Sequence, residues 1–407
     1  MLSNQTHWSM LLGASALVAG TCIGAAAVAL PVSLVSLGLL GSCLAFVMCW
    51  ALMAWTGCLT LEVNLALPNQ SSYTSMALAT LGVWGARVTT LIYGILLYAL
   101  LAAYLAGGSD IVMTISGALT PNIHSITIAW WCLGGVMLYL GVRWIDHLNR
   151  ILLGLLSVAF IVMVKLSLPS VQWVHKFSFQ PVSQDLSIYL MILGAFGYQV
   201  IVPSVRVYCQ SLSSVAERSI IMGSLIPLVL YSIWTLCVFG ALPLTGDKSL
   251  SALQALEQPA RWLPLWMSSN HPVNAWFNLS SAVEIFIFGA ITTSFLGIAL
   301  SAYDLVQDLS QVWFKRPLPK GCAALITLLP ALCYVELWPN GFVMALKYAG
   351  LMVLLLNVIL PMGMVWRIRW LRQHQLVSST ANDYQAPSGF WVMSFIGIVV
   401  SASYYLT

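Results

Sequence analysis

The sequence predicts an all-α membrane protein of eleven transmembrane helices in a single domain. Three observations predict it. Hydrophobic residues make up 60% of the 407 and charged residues only 7%, against roughly 25% charged in soluble globular chains. The mean hydropathy is +0.90. Long apolar runs recur along the whole chain, separated by short polar or Pro/Gly breaks. Sixteen Lys and Arg with twelve Asp and Glu cannot solvate a protein of this size. Soluble enzymes, nucleic-acid binders and disordered scaffolds are thereby excluded.

At about 20 residues per span, the apolar runs fall at about 8–36, 38–66, 84–117, 125–142, 147–168, 186–208, 217–242, 273–308, 321–338, 340–366 and 389–407. The first has no basic segment before it and runs too far for a signal peptide, so it reads as a retained helix. Loops 67–83 and 243–272 are long enough for short helices. The nine cysteines form no C-x-x-C pair. They read as small apolar packing residues, with no metal site or disulfide framework.

Lys and Arg set the orientation. With the N-terminus inside, the inner ends carry Arg87, Arg143, Arg150, Arg206, Arg218, Lys315, Arg316, Lys320, Arg367, Arg369 and Arg372. The outer ends carry Lys165, Lys176, Lys248 and Arg261. That bias agrees with an odd number of helices and an outside C-terminus.

Two runs are interrupted. The first contains Gly20-Thr21-Cys22-Ile23-Gly24-Ala25-Ala26-Ala27, followed by Pro31. The sixth contains Gly194-Ala195-Phe196-Gly197-Tyr198-Gln199-Val200-Ile201-Val202-Pro203-Ser204. Glycine weakens a helix and proline can start a new one. Each motif alone also fits ordinary helix packing or a kink. Five spans separate them, so the two broken helices cross in opposite directions. Paired interruptions of this kind mark the substrate site of a transporter. Unwound backbone groups must face a cavity or ligand because lipid cannot satisfy them. Amides at a half-helix start suit a carboxylate, and carbonyls at helix ends suit an ammonium group or a cation.

Gly20-Thr21-Cys22-Ile23-Gly24-Ala25-Ala26-Ala27-Val28-Ala29-Leu30-Pro31 resembles the G-T-x-I-G-A-G-x-x-A-L-P signature of the bacterial aromatic amino acid permeases. Phe196-Gly197-Tyr198-Gln199-Val200-Ile201-Val202-Pro203-Ser204 resembles their F-G-[FY]-H-x-x-[IV]-P-S element. The likeness continues through 223–231 and 293–297 and covers most of the chain. It implies a 5+5 inverted-repeat (LeuT-type) fold plus one extra helix, with repeats at 1–168 and 186–366 and the extra helix at 389–407. It implies proton-coupled import of tyrosine or tryptophan across the bacterial inner membrane, N-terminus cytoplasmic and C-terminus periplasmic. Two positions depart from the pattern. Ala26 replaces the third signature glycine, and Gln199 replaces a histidine and cannot carry a proton. The alternative is a sodium-coupled symporter of other neutral amino acids. A channel or an intramembrane enzyme lacks the pore-lining repeats or the buried nucleophile that it needs.

On this reading Gly24, Ala25 and Ala26 hold the carboxylate. Ile23 and the carbonyls near Ala19, Gly20 and the sixth break complete the site toward the amino group. Tyr98, Tyr104, Phe196, Tyr198, Phe288, Phe295 and Tyr348 lie at mid-membrane depth and either stack on an aromatic substrate or pack the core. Gln199 belongs to the same break. Glu62 either gates and relays protons or makes a static hydrogen bond. Glu284 and Lys347 either pair as an outer gate, or Lys347 snorkels. Asp110 is placed at the same vestibule, and Asp304 and Asp308 at a solvated helix end. Thr292, Thr293 and Ser294 lie mid-span. In related folds such hydroxyls, with Gly20 and Ile23, coordinate sodium, though helix hydroxyls usually bond their own backbone. The six histidines fall at loops and span ends. No cofactor is expected. The expected partners are a small-molecule substrate, a coupling proton and the lipid bilayer, with no nucleic acid, and the protein is expected to be monomeric.

Overall fold

The computed structural model describes residues 2–24, 26–67, 72–117, 122–167, 185–243, 245–269, 279–374, 384–387 and 389. All regular structure among them is helical. Nine helices are long and apolar enough to cross a membrane, and a bent pair makes a tenth span. The expected eleventh span, 389–407, lies outside the described residues apart from Gly389.

The bent pair is α1 (Leu2–Cys22) and α2 (Ala26–Ser33), which meet at 61°. Then follow α3 (Gly38–Ala66), α4 (Tyr73–Ser116), α5 (Ile123–Leu140) and α6 (Val142–Ser167). The sixth span is α7 (Leu186–Ala195) joined through a short 3₁₀ turn to α8 (Val202–Tyr208). After α9 (Ser213–Ala241) come the short α10 (Leu250–Leu256) and α11 (Pro259–Ser269). The last spans are α12 (Leu279–Phe314), α13 (Lys320–Leu337), and α14 (Phe342–Val353) continued through a π-helical turn into α15 (Leu360–Gln373).

Local chemistry sets several of these boundaries. Ser72, Asn122, Asp185 and Ser249 accept hydrogen bonds from amides in the first turns of α4, α5, α7 and α10, as N-cap residues do. Hydrogen bonding from Ser187, its side chain first and then its amide, holds the Asp185 carboxyl below the usual carboxylate range. Gly82, at φ 78°, breaks α4 into a short arm and a span, a backbone angle that other residues adopt only at a cost. The loop read over 67–83 therefore contains the helical arm from Tyr73. Several helices overrun their apolar runs: α6 starts at Val142, α9 starts at Ser213, α12 runs to Phe314, and the tenth span continues to Gln373.

α12 lies along α6 and α4, α1 lies along α9, and α14 packs on α4 and α7. α3 packs on α9, α7, α8 and α15. Gly350 of α14 sits against the Leu190 carbonyl of α7 so closely that no side chain fits between them. The innermost packing gathers Phe46, Phe196, Tyr231, Trp234 and Phe286, all fully buried. The outward faces carry exposed Leu12, Leu91, Ile95, Val158, Ile161 and Val229. A soluble monomer does not leave that much apolar surface in water; a bilayer covers it.

α1 approaches α9 at Gly223, where an added Cβ would lie 2.7 Å from the Ser15 carbonyl. Gly223→Val should therefore push α1 off α9. The expected cost is about 1–3 kcal/mol, read as a lower melting temperature of the detergent-solubilised protein. An unchanged melting temperature would show that the contact yields freely.

Candidate functional site

The site begins with two unwound segments. α1 stops at Cys22, and Ile23 and Gly24 precede α2. The Ile23 amide reaches back to the Ala19 carbonyl at 3.0 Å, and the Ala27 amide takes the Gly24 carbonyl at 3.0 Å. In the sixth span, the Phe196 amide bonds Ile192 and Leu193, the Gly197 amide bonds Gly194, and the Ile201 amide bonds Tyr198. Pro203 sits in the first turn of α8, where its missing N–H costs nothing.

The carbonyls freed at the two breaks share a donor. The Tyr231 hydroxyl of α9 lies 2.6 Å from the Cys22 carbonyl and 3.2 Å from the Ala195 carbonyl. Those are the last residues of α1 and α7, so one phenol ties the two helix ends together. Three residues on, one turn along α9, Trp234 Nε1 donates to the Ala27 carbonyl at 2.7 Å. α3 supports the other side. Gln199 Nε2 donates to the Met53 carbonyl and Thr56 Oγ1, both at 3.1 Å, and its Oε1 accepts the Tyr198 amide at 3.0 Å. The Tyr198 hydroxyl also donates to the Met53 carbonyl, with its ring in the notch left by Gly57.

Between the breaks lies a cavity of about 450 Å³, within the usual range for small-molecule sites. Gly20, Ile23, Gly24 and Ala26 form one wall, and Gly194, Gly197, Val200 and Ile201 another. α4 contributes Tyr93, Leu97 and Tyr104, and α12 contributes Thr293, Ser294, Gly297 and Ser301. Asn149 of α6 lines the end nearest the Arg-rich helix termini, and the tenth span adds Leu346, Ala349, Val353 and Asn357. A Cβ at Gly20 or Gly297 would meet nothing, so these backbones face open space. A Cβ at Gly24 would lie 2.6 Å from Ser294 Oγ. No Asp, Glu, Lys, Arg or His among the described residues lines this cavity. Backbone dipoles and neutral hydroxyl and amide groups are what a bound molecule meets.

The expected site residues divide. Gly20, Ile23, Gly24, Ala26, Tyr104, Gly197, Thr293 and Ser294 line the cavity. Ala25 lies outside the described residues. Ala19 is buried in α1 behind the wall. Phe196 stacks edge-on against Tyr231, and Tyr198 and Gln199 are fully buried against α3. Phe288 and Phe295 pack on Trp130 instead of the cavity. Tyr98 and Tyr348 line a separate apolar groove on the outer surface of the bundle, with the Tyr98 hydroxyl donating to the Ile326 carbonyl. The hydroxyls of Thr292, Thr293 and Ser294 donate to carbonyls one turn back, at Phe288, Gly289 and Ala290.

The charged residues form separate networks. Glu62 accepts both guanidinium bonds of Arg369, at 3.0 and 2.7 Å, and the Ala386 amide at 2.9 Å, with Arg372 at 3.8 Å. Arg206 donates to the carbonyls of Asn64 and Leu67. The expected Glu284–Lys347 pair does not form. Glu284 accepts the Ser280 hydroxyl, and Lys347 lines a small pocket with Asp185 and Glu257. Their helices, α12 and α14, both pack on α4 and make no comparable contact with each other, and depth along two helices does not fix whether they adjoin. Asp110 lies away from the cavity, in a small pocket with the His124–Glu336 pair.

Sequence reasoning passed over Tyr231, Trp234, Asn149, Ser301 and Asn357. Asn357 carried a signal: it is the lone amide in Leu354-Leu355-Leu356-Asn357-Val358-Ile359.

A model of the tryptophan/tyrosine permease family matches residues 7–400. The tyrosine-specific transport system 2 of Haemophilus influenzae is 30% identical over 378 residues, 91% of this chain and 89% of its own. The tryptophan-specific transport protein of the same organism is 29% identical over 86% of both chains. Glutamine transporter 2 of Aliivibrio fischeri is 24% identical over 93% of this chain and 94% of its own.

Tyr231→Phe keeps the ring against Phe46 and Phe196 and removes only the shared donor. It should destabilise the protein by about 1–3 kcal/mol, the cost of buried carbonyls left unpaired. A thermal melt in detergent reads this, and an unchanged melting temperature would mean that the phenol does not tie the breaks.

Proposed function

The chain belongs to the tryptophan/tyrosine permease family, and from that premise we propose that it is a secondary transporter importing tyrosine or tryptophan by proton symport. It is a multi-pass membrane transport protein, not an enzyme. The observation that carries the proposal is the uncharged cavity between two helix breaks that Tyr231 joins. A zwitterion needs a positive and a negative potential side by side, and broken helices of opposite direction supply both. The carboxylate is assigned to the α2 end of the first break, around Gly24, Ala25 and Ala26. The ammonium group is assigned to carbonyls of the α1 end and the sixth break.

The packing supports two inverted halves of five spans. Shifting each span by five turns the α1–α9 contact into that of α7 and α8 with α3, and the α4–α14 contact into α12–α6. The α7–α14 pair breaks the exchange. α7 packs tightly on α14, while its counterpart pair, α1 and α6, is not in comparable contact. With the Arg-rich ends inside, this asymmetry closes the outer half of the cavity and leaves the inner half apart. The lining supports the same reading, because Tyr93, Asn149 and Ser301 extend the cavity toward the inner ends. On this reading the protein is in an inward-facing state of alternating access. Glu62 is assigned to gating: its ion pair with Arg369 joins α3 to α15.

A second reading is sodium coupling with a different neutral amino acid. Thr293 and Ser294 line the cavity opposite the first break, with Ser294 against Gly24, and the glutamine transporter is a full-length relative. Uptake of labelled tyrosine, tryptophan and glutamine into proteoliposomes, under imposed pH or sodium gradients, separates the readings. The proposal expects tyrosine or tryptophan to accumulate with an inward proton gradient and without sodium. Accumulation that follows sodium, ignores pH and fails in a Thr293→Ala, Ser294→Ala double variant would replace it with the second reading.

A further inference from the structure

Asn357 is 1% exposed, and its Oδ1 has no hydrogen-bond partner among the described residues. A buried amide oxygen without a partner is rare and costly. It lines the cavity between the helix breaks. It also sits inside the π-helical turn Leu354–Ile359, where the Leu360 amide reaches back five residues to Leu355. Such turns shift side chains off the regular helical face and recur at functional sites. Here the turn is braced from outside, because the Tyr73 hydroxyl donates to the Leu356 carbonyl at 2.7 Å. On the cavity side, a Cβ at Gly197 would lie 3.4 Å from Asn357 Nδ2. A side chain at 197 would therefore crowd the amide. Around it the wall is apolar, with Val200, Ile201 and Val353.

From this geometry we infer that Asn357 sets the side-chain specificity of the cavity, by accepting a hydrogen bond from an N–H or O–H on the ring of an aromatic substrate. The inference rests on the proposed aromatic amino acid transport and goes beyond it. The apolar wall takes the ring faces and the Asn357 oxygen takes one donor at the rim. An indole N–H and a phenol O–H each provide that donor, and a phenyl ring does not. A phenylalanine side chain would desolvate the site and leave the oxygen unpaired, so the site rejects it. Asn149 also lines the cavity with an unpartnered Oδ1. It lies on α6, apart from the sixth-break and tenth-span residues that form the apolar wall around Asn357.

Competition for tyrosine counterflow in proteoliposomes tests this. The readout is the concentration of unlabelled tyrosine, tryptophan or phenylalanine that halves exchange of labelled tyrosine, or of labelled tryptophan if that is the better substrate. The wild type should need at least about tenfold more phenylalanine than tyrosine or tryptophan. In Asn357→Leu the difference should collapse, with tyrosine weakened and phenylalanine unchanged or improved. Asn357→Asp keeps an acceptor at the same place and should keep the discrimination. A wild type that exchanges all three equally well overturns this inference alone. So does an Asn357→Leu protein that still discriminates. If Asn357→Leu does not fold, Asn357→Thr and the wild-type ratio decide. A wild type that moves none of the three overturns the aromatic reading and the inference together.

Discussion

Everything in this protein turns on two helices that are interrupted inside an apolar shell. Each interruption frees backbone carbonyls and amides where no lipid group can pair with them. The molecule meets this demand with side chains from neighbouring helices. Tyr231 and Trp234, one helical turn of α9, bind carbonyls of the first break, and Tyr231 also reaches the end of α7. In the sixth break Gln199 Oε1 accepts the Tyr198 amide, and Gln199 Nε2 and the Tyr198 hydroxyl tie that segment to the Met53 carbonyl of α3. Backbone groups of Gly20 and Gly24 line the cavity between the breaks, where the proposed substrate site lies.

This arrangement explains why so much of the polar chemistry is absent from the cavity itself. Charge is kept in ion pairs at the helix ends, such as Glu62 with Arg369, and in the His124–Glu336 pair. The cavity wall is neutral. A fixed charge there would favour one end of a zwitterion and raise the cost of the empty state. Backbone dipoles, pre-oriented by the helix halves, supply local potential of both signs without that cost. The close α7–α14 contact at Gly350 is likewise made from packing alone, without charge.

Much of this was legible in the sequence. The apolar runs located ten spans, and the paired Gly/Pro motifs located both breaks, because length and helix-breaking residues act locally. Azimuth was not legible. Tyr98, Phe288, Phe295 and Tyr348 sit at the right depth but point to the outer groove or to Trp130. A helix that is apolar on all sides has no sequence period to say which face turns inward. Gln199 looked like a cavity residue because it lies in the sixth break. It is buried against α3, since an unwound segment can aim a side chain either way. Partners distant in sequence, such as Glu62 and Arg369, were equally out of reach. Tyr231 lay in a stretch matched to the family, yet its role needed both helix ends in view.

The central claim is that a substrate amino acid sits between the two breaks. The most direct test is a structure of the protein in lipid with bound tyrosine or tryptophan. Ligand density is expected in the cavity, with the carboxylate at the backbone around Gly24 and Ala26 and the amino group at carbonyls of the two broken helices. Density in the outer groove beside Tyr98 and Tyr348, with the cavity between the breaks empty, would contradict it.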